Sequence, residues 1–243
     1  MHRAAFLRIV LLGAVLLGVT WAFIPLDGSQ EDRYAELRDR MVRTSIEAQG
    51  IRDSLTLHAM RTVPRHEFVL PEYVDRAYGD YPLPLTHGQT ISQPYIVAYM
   101  TEMLEPRAGM KALEVGTGSG YQAAVLAATG ADVFTVEIIG ALATSATDKF
   151  RRLGLDGVQT RHADGFFGWE EEAPFDAIIV TAAAGFIPPP LIEQLKPTGR
   201  MVIPVGSVYG IQNLILVEKT EKGEVRTETL IPVRFVPFLR DVR

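Results

Sequence analysis

The chain has 243 residues, of which 47% are apolar and 22% are charged; this suits one domain with a full hydrophobic core and excludes intrinsic disorder. The net charge is −5, and because Arg3 and Arg8 are the charged residues of the first 24, the remainder carries 22 basic and 29 acidic residues. Nucleic-acid affinity comes mainly from clustered lysine and arginine, so we expect no nucleic-acid partner. The lack of cysteine excludes disulfides, thiolate zinc sites and a cysteine nucleophile.

An apolar segment over residues 1–24 comes first. Its main part is a nearly continuous apolar run from Ile9 to Ile24, preceded by Arg3 and Arg8. Two interpretations stay open: a secretory signal peptide cleaved near Thr20–Ala22, or an uncleaved membrane anchor, because the run approaches the roughly 20 residues that span a bilayer. Basic residues before the run predict a cytoplasmic N-terminus, so the following domain would be periplasmic, secreted or membrane-anchored outside the cytoplasm.

Two helices are predicted ahead of an irregular segment. Residues Glu31–Gln49 have helical periodicity and end at Gly50, a natural C-cap. Residues Asp53–Met60 are predicted to form a second helix with a polar N-cap. Residues 61–94 are rich in proline and polar side chains, and we expect them to be irregular.

Apolar strands then alternate with helical segments. The predicted strands are Ala112–Val115, Asp132–Glu137, Val158–His162, Phe175–Thr181, Met201–Pro204, Leu214–Glu218 and Thr229–Phe235. The predicted helices are Tyr121–Ala128, Ala141–Leu153 and Pro189–Leu195. This alternation predicts an α/β fold, a doubly wound and mostly parallel sheet covered on both faces, with the last two strands as an antiparallel hairpin.

A glycine-rich loop follows the first of these strands. Gly116, Gly118 and Gly120 come directly after it, behind the acidic Glu114. Glycine lets the backbone turn sharply under a ligand, which the first amide groups of the next helix then face. A dinucleotide loop has the spacing G-x-G-x-x-G/A, and Tyr121 stands at its last position. The spacing therefore favours S-adenosylmethionine over NAD or FAD, although a tight turn without a ligand would also use glycine.

Polar or small residues end the next three strands. Glu137 lies 21 residues after Gly116, where a carboxylate can accept both ribose hydroxyls. Asp164, followed by Gly165, ends the next strand, where its carboxylate could accept a hydrogen bond from the adenine amino group. Small residues after Thr181 leave room for a substrate. Each feature has a plainer interpretation: a solvated carboxylate, an Asp-Gly turn and a tight loop.

Five blocks in this order closely resemble the protein-L-isoaspartate O-methyltransferase family. They are Val63–Phe68, Gly88–Tyr95, Leu113–Gln122, Phe175–Ala183 and Val233–Pro237. The match extends over roughly residues 31–240. Its Thr90–Pro94 portion is more specific than the glycine loop, because methyltransferases in general lack it. The resemblance implies the S-adenosylmethionine-dependent methyltransferase type of Rossmann-like fold.

The resemblance also implies a reaction and its residues. A methyl group would pass from S-adenosylmethionine to the free α-carboxylate of L-isoaspartyl residues, and also to D-aspartyl residues, in damaged proteins, and the ester would close to a succinimide that opens partly to aspartate. Ser92 would orient the carboxylate, while Thr90, Ile91 and Val233 would line the peptide groove. A carboxylate with a pKa of about 4 is already ionised at neutral pH, so we expect no strong general base and no metal.

These expectations divide the chain and assign its donor site. Residues 1–24 are a signal peptide or anchor, 25–30 a linker and 31–243 the methyltransferase domain, with the N-terminal helices and substrate loop in 31–94 and the cofactor-binding core in 111–243. The expected donor-binding residues are Glu114, Gly116, Thr117, Gly118, Gly120, Glu137, Asp164, Gly165 and Thr181.

Two other functions stay open. One is methyl transfer to a carboxylate of a different peptide or small molecule, and the other is a non-catalytic, membrane-tethered binding module. Typical family members are cytosolic, so the family and the N-terminal segment predict different compartments. We expect a monomer. The loop Gly88–Tyr95 is called the Ser92 loop, and His87 is interpreted as its polar neighbour. Trp169 is interpreted as a cover over the adenine or as simple packing.

Overall fold

The computed structural model describes residues 28–207 and 209–241. The predicted signal or anchor segment, 1–24, lies outside these residues. Within the described ranges, no helix has both the length and the apolar character needed to cross a bilayer.

A seven-stranded sheet forms the centre of the fold. Its strands are β3 (Lys111–Val115), β4 (Asp132–Glu137), β5 (Gln159–His162), β6 (Phe175–Val180), β7 (Leu195–Val205), β8 (Gln212–Lys219) and β9 (Val225–Val233); a separate short pair is β1 (Leu83–Pro84) and β2 (Thr90–Ile91). The order is β5-β4-β3-β6-β7-β8-β9. The first five run parallel and the last two antiparallel, which confirms the predicted fold class and hairpin.

The described residues form six α-helices around this sheet. They are α1 (Gly28–Met41), α2 (Ser54–Thr62), α3 (Pro94–Met103), α4 (Tyr121–Ala128), α5 (Gly140–Arg152) and α6 (Pro189–Glu193). Helical turns continue from α1 to Gln49, and Gly50 ends them with a φ of 104°, as predicted. Asp53 caps α2, where its carboxylate accepts the Thr56 N–H at 2.7 Å.

The two faces of the sheet contact different apolar clusters. On β3, Ala112 belongs to a cluster with α2, α3 and α4, whereas Leu113 and Val115 belong to one with β6 and α6. Burial on both faces explains why the central strands are apolar runs without strict alternation. Glu114 shares the face of Ala112, so its carboxyl group is enclosed on the α4 side of the sheet.

Three elements differ from the predictions. The helix α3 was missed, although Pro94 at its first turn is a favourable helix start. Strand β7 begins at Leu195, earlier than the predicted Met201. Residues 196–199 have a turn-like sequence, and an irregularity in the pairing of β7 with β6 accommodates them within the strand. Strand β9 begins at Val225, earlier than the predicted Thr229. The prediction missed its first residues because they are exposed and polar and lack the alternation that marks a half-buried strand.

Candidate active site

A cavity opens at the carboxyl edge of the sheet, where β3 lies between β4 and β6. Val115 pairs with Val136 on one side and Val180 on the other, so three strand ends meet there. Doubly wound sheets bind ligands at this switch point. The cavity brings together ten of the predicted site residues: Thr90, Ile91, Ser92, Glu114, Gly116, Thr117, Gly118, Glu137, Gly165 and Thr181.

The glycine loop turns tightly against the end of β6. Gly116 has a φ of 99°, and a Cβ there would lie 2.5 Å from the Thr181 Oγ1. The Thr181 hydroxyl lies 2.6 Å from the Gly116 carbonyl oxygen, to which it donates, and the Gly116 N–H donates to the Val136 carbonyl oxygen at 2.8 Å. Glycine is required at this position both by the backbone angle and by the close approach of Thr181.

Glu137 closes the other side of the loop. Its Oε2 accepts the Gly118 N–H at 2.8 Å and its Oε1 accepts the Ile139 N–H at 2.9 Å. Each carboxylate oxygen has a further lone pair, so the side chain can accept two additional hydroxyl groups. This arrangement fits the vicinal hydroxyls of a ribose, as the sequence predicts.

Glu114 is completely buried beneath the loop. Its Oε2 accepts a hydrogen bond from the Thr135 hydroxyl, which lies 2.6 Å from the Thr117 hydroxyl, while its Oε1 has no partner among the described residues. Burial raises the pKa of Glu114 to about 8, although the Thr135 hydrogen bond opposes the shift. The unpaired oxygen is enclosed beneath the loop, with almost no surface accessible to solvent.

Replacing Glu114 with glutamine is expected to change how stability depends on pH. An acid whose pKa is raised on folding holds its proton more tightly in the native state than in the unfolded state. Ionisation of Glu114 therefore lowers the free energy of unfolding of the wild type as pH rises from about 4.5 to about 8. Glutamine cannot ionise, and the free energy of unfolding of the variant relative to wild type should rise by about 2–5 kcal/mol over that interval. Urea unfolding at several pH values measures this difference, and a pH-independent difference would contradict it.

Two predicted donor-site residues lie outside the cavity lining. The Asp164 carboxylate pairs with the Arg240 Nε at 2.9 Å and accepts the Phe166 N–H at 3.0 Å, so it holds the C-terminal segment in place. Gly120 begins α4 with a φ of 90°, and a Cβ there would lie 2.9 Å from the Phe150 ring. Helix packing explains this glycine without a ligand, and an adenine contact of Asp164 stays a prediction.

The C-terminal segment Val236–Leu239 forms a cavity wall that the sequence reasoning missed. The Val236 carbonyl oxygen accepts the Ala183 N–H at 2.8 Å, and the Phe238 N–H donates to the Ala183 carbonyl oxygen at 2.9 Å. This segment thereby continues along the end of β6. The resemblance block Val233–Pro237 was the one available signal, and it carried no indication of a contact with the donor.

A second groove meets the cavity at the Ser92 loop. Thr90 and Ser92 line both spaces, and Val233 lines the groove alone. Further residues of the groove are Pro82, Gln93, Ile96, Ile211, Pro232, Arg234 and Phe235. Ser92 is half-buried, and within the described residues its hydroxyl makes no hydrogen bond, whereas its carbonyl oxygen accepts one from Arg65.

The other singled-out residues lie apart from this site. His87 is exposed and contacts the Thr86 hydroxyl at 3.0 Å. Trp169 packs edge-on against Phe134, with ring centres 5.6 Å apart, so packing is the interpretation that the contacts favour. Across residues 28–207 and 209–241, no three His, Asp or Glu side chains are grouped as metal ligands.

Comparison with known proteins identifies the family of this site. Residues 36–242 match the family model described as "Protein-L-isoaspartate(D-aspartate) O-methyltransferase (PCMT)". The protein-L-isoaspartate O-methyltransferase 2 of Syntrophobacter fumaroxidans is 49% identical, with 96% of each chain covered. The protein-L-isoaspartate O-methyltransferase 2 of a Polaromonas species is 57% identical, and the alignment covers 76% of this chain and 88% of that protein.

A solved structure supports the same assignment. It is a putative protein-L-isoaspartate O-methyltransferase from Plasmodium falciparum in complex with S-adenosyl-L-homocysteine, which is 26% identical. The alignment has a TM-score of 0.71 and covers 86% of this chain and 99% of that one. Taken with the family match over residues 36–242, this likeness shows that the chain belongs to the protein-L-isoaspartate(D-aspartate) O-methyltransferase family.

Proposed function

We propose that this chain transfers a methyl group from S-adenosylmethionine to the free carboxylate of damaged residues in proteins, which is the α-carboxylate of L-isoaspartyl residues and the side-chain carboxylate of D-aspartyl residues. The observation that carries this proposal is the position of Thr90 and Ser92, which line both the donor cavity and the neighbouring groove. A carboxylate in the groove would reach a methyl donor in the cavity at these two residues. Family membership supports the isoaspartyl substrate.

The donor cavity fits an adenosine-type co-substrate. Gly116 leaves the loop without a side chain where the backbone turns, and each Glu137 carboxylate oxygen has a free lone pair. The walls Val236–Leu239 and Ile91 present mostly apolar side chains to the cavity. When bound, S-adenosylmethionine supplies a methyl group on a sulfonium, and sulfur keeps the electron pair of the broken C–S bond.

Ser92 is proposed to orient the substrate. Its hydroxyl would donate to one oxygen of the substrate carboxylate, so that the other oxygen faces the methyl group and forms the new C–O bond. Because the carboxylate is ionised at neutral pH, the residues need to align it and desolvate it without accepting a proton. Thr90, Ile91 and Val233 are proposed to hold the extended peptide through backbone contacts.

Paired peptides test this proposal. We expect labelled methyl to pass from S-adenosylmethionine to a peptide with one L-isoaspartyl residue, and its aspartyl twin to stay unlabelled. Equal labelling of the two peptides would refute the isoaspartyl specificity. Binding of S-adenosylmethionine without labelling of either peptide would favour another carboxylate substrate.

The proposal for residues 1–24 concerns location. We propose a cleaved export signal or a single membrane anchor, supported by the apolar run Ile9–Ile24 behind two arginines. N-terminal sequencing of the mature chain, together with cell fractionation, separates these two cases. A monomer remains our expectation for the domain.

A further inference from the structure

A buried arginine connects the Ser92 loop with the donor cavity. Arg65 lies at the start of a 3₁₀ turn and is fully buried. Its Nη2 donates to the Ser92 carbonyl oxygen and its Nε to the Ala77 carbonyl oxygen, both at 2.8 Å. The guanidinium carbon lies 4.7 Å from the centre of the Tyr121 ring, and Tyr121 lines the cavity.

Arg65 forms no direct ion pair with any described residue, and its Nη1 has no hydrogen-bond partner among them. Burial lowers the pKa of the guanidinium, although the Asp80 carboxylate opposes the shift, and the group stays protonated. Burying a charge without an ion-pair partner is costly, and two carbonyl oxygens and one aromatic face offset this cost. A residue that only filled space here would be apolar.

The residues on both sides of Ser92 are held by other contacts. The Asp80 carboxylate accepts the Tyr95 N–H at 2.9 Å and the Gln93 Nε2 at 3.0 Å. Before the loop, the Leu85 N–H donates to the Gln89 carbonyl oxygen at 2.8 Å. Arg65 is thus the side chain that fixes the backbone of Ser92 itself.

We infer that Arg65 is a positioning residue for methyl transfer: by holding the Ser92 carbonyl oxygen, it sets where the Ser92 hydroxyl meets the substrate carboxylate. This inference rests on the proposed function of Ser92. Arg65 itself lines neither the cavity nor the groove, so it acts through Ser92 and without contact to the substrate.

Arg65→Lys is the direct test, because lysine keeps the charge but cannot reproduce the fork that reaches two carbonyl oxygens. We expect kcat for the isoaspartyl peptide to fall roughly 10- to 100-fold, since small misplacements of reacting groups have effects of this size. The KM for the peptide and the Kd for S-adenosylmethionine should change little. In a Ser92→Ala background, the same substitution should lower kcat by less than about twofold, because the positioned hydroxyl is gone.

Arg38→Lys is the matched control. Arg38 is also nearly buried and donates from Nε to a backbone carbonyl oxygen, that of Arg61, at 2.6 Å. It contacts Tyr78 and does not reach the Ser92 loop. The control variant should lose stability without a loss of kcat. An equal fall of kcat in the Arg38 and Arg65 variants, or independent effects of Arg65→Lys and Ser92→Ala, would overturn the inference.

Hydrogen exchange supplies a readout that does not depend on the substrate. Amides of residues 88–95 should exchange faster in Arg65→Lys than in wild type, because the anchor of the Ser92 carbonyl is weakened. Unchanged exchange would overturn the inference even if isoaspartyl peptides are not substrates. Should Arg65→Lys fail to fold, Arg65→Gln keeps one donor without the buried charge and undergoes the same measurements.

Discussion

Replacing Gly116 with alanine is expected to raise the Kd for S-adenosylmethionine about 100-fold, equivalent to about 2.8 kcal/mol. The new Cβ would lie 2.5 Å from the Thr181 Oγ1, so Thr181 would have to rotate away and give up its hydrogen bond to the loop. The φ of 99° is also unfavourable for any residue with a Cβ. Both effects displace the backbone on which the donor is proposed to lie. Calorimetric titration with S-adenosylmethionine measures the change.

Gly50→Ala is the matched control for this prediction. Gly50 has a nearly equal φ of 104°, but a Cβ there would meet no atom within 4 Å, and the residue lies outside the cavity lining. We expect it to lower stability by about 1–2 kcal/mol through backbone strain alone and to leave donor affinity unchanged. A Gly116→Ala protein that binds S-adenosylmethionine as tightly as Gly50→Ala would exclude the glycine loop as the donor cradle.

Ser92→Ala should lower kcat roughly 10- to 100-fold and leave the Kd for S-adenosylmethionine nearly unchanged. Ser92 lines both the cavity and the groove, where its hydroxyl is proposed to orient the carboxylate, whereas the proposed donor contacts lie at the glycine loop and Glu137. Single-turnover methyl transfer at saturating donor and peptide measures the chemical step directly.

The conservative variant Ser92→Thr separates orientation from packing. Threonine keeps a hydroxyl at this position, so kcat should recover most of what the alanine variant loses. Ser92→Ala turnover at the wild-type rate would remove Ser92 from the reacting centre. A rise in donor Kd equal to the fall in kcat would instead assign the hydroxyl to donor binding.

The central fold could be predicted from the sequence because its signals are local. The central strands β3, β4 and β6 are mostly apolar runs, and the two N-terminal helices end and begin at recognisable residues, Gly50 and Asp53. The strand ends were also predictable, since parallel strands place their carboxyl ends at one edge. For this reason the glycine loop and Glu137 could be assigned to one site from the sequence, and the Gly118 N–H does donate to the Glu137 carboxylate.

Contacts between distant residues could not be predicted in this way. Arg65 holds Ser92 across 27 positions, and Arg240 pairs with Asp164 across 76, and no periodicity relates such pairs. The Asp164 carboxylate therefore looked free when its local sequence alone was considered. Gly120 resembled the other two glycines of the loop, and the Phe150 ring that excludes a side chain there comes from another helix.

The most direct test of the proposed reaction is to locate the transferred methyl group within one peptide. The peptide should contain one L-isoaspartyl residue, one ordinary aspartyl residue and a free C-terminus, so that three carboxylates of similar acidity compete. With deuterated methyl on S-adenosylmethionine, tandem mass spectrometry at low pH identifies the modified residue. We predict a single ester, on the α-carboxylate of the isoaspartyl residue. Methyl distributed over the three carboxylates, or found on ordinary aspartate, would contradict the proposal.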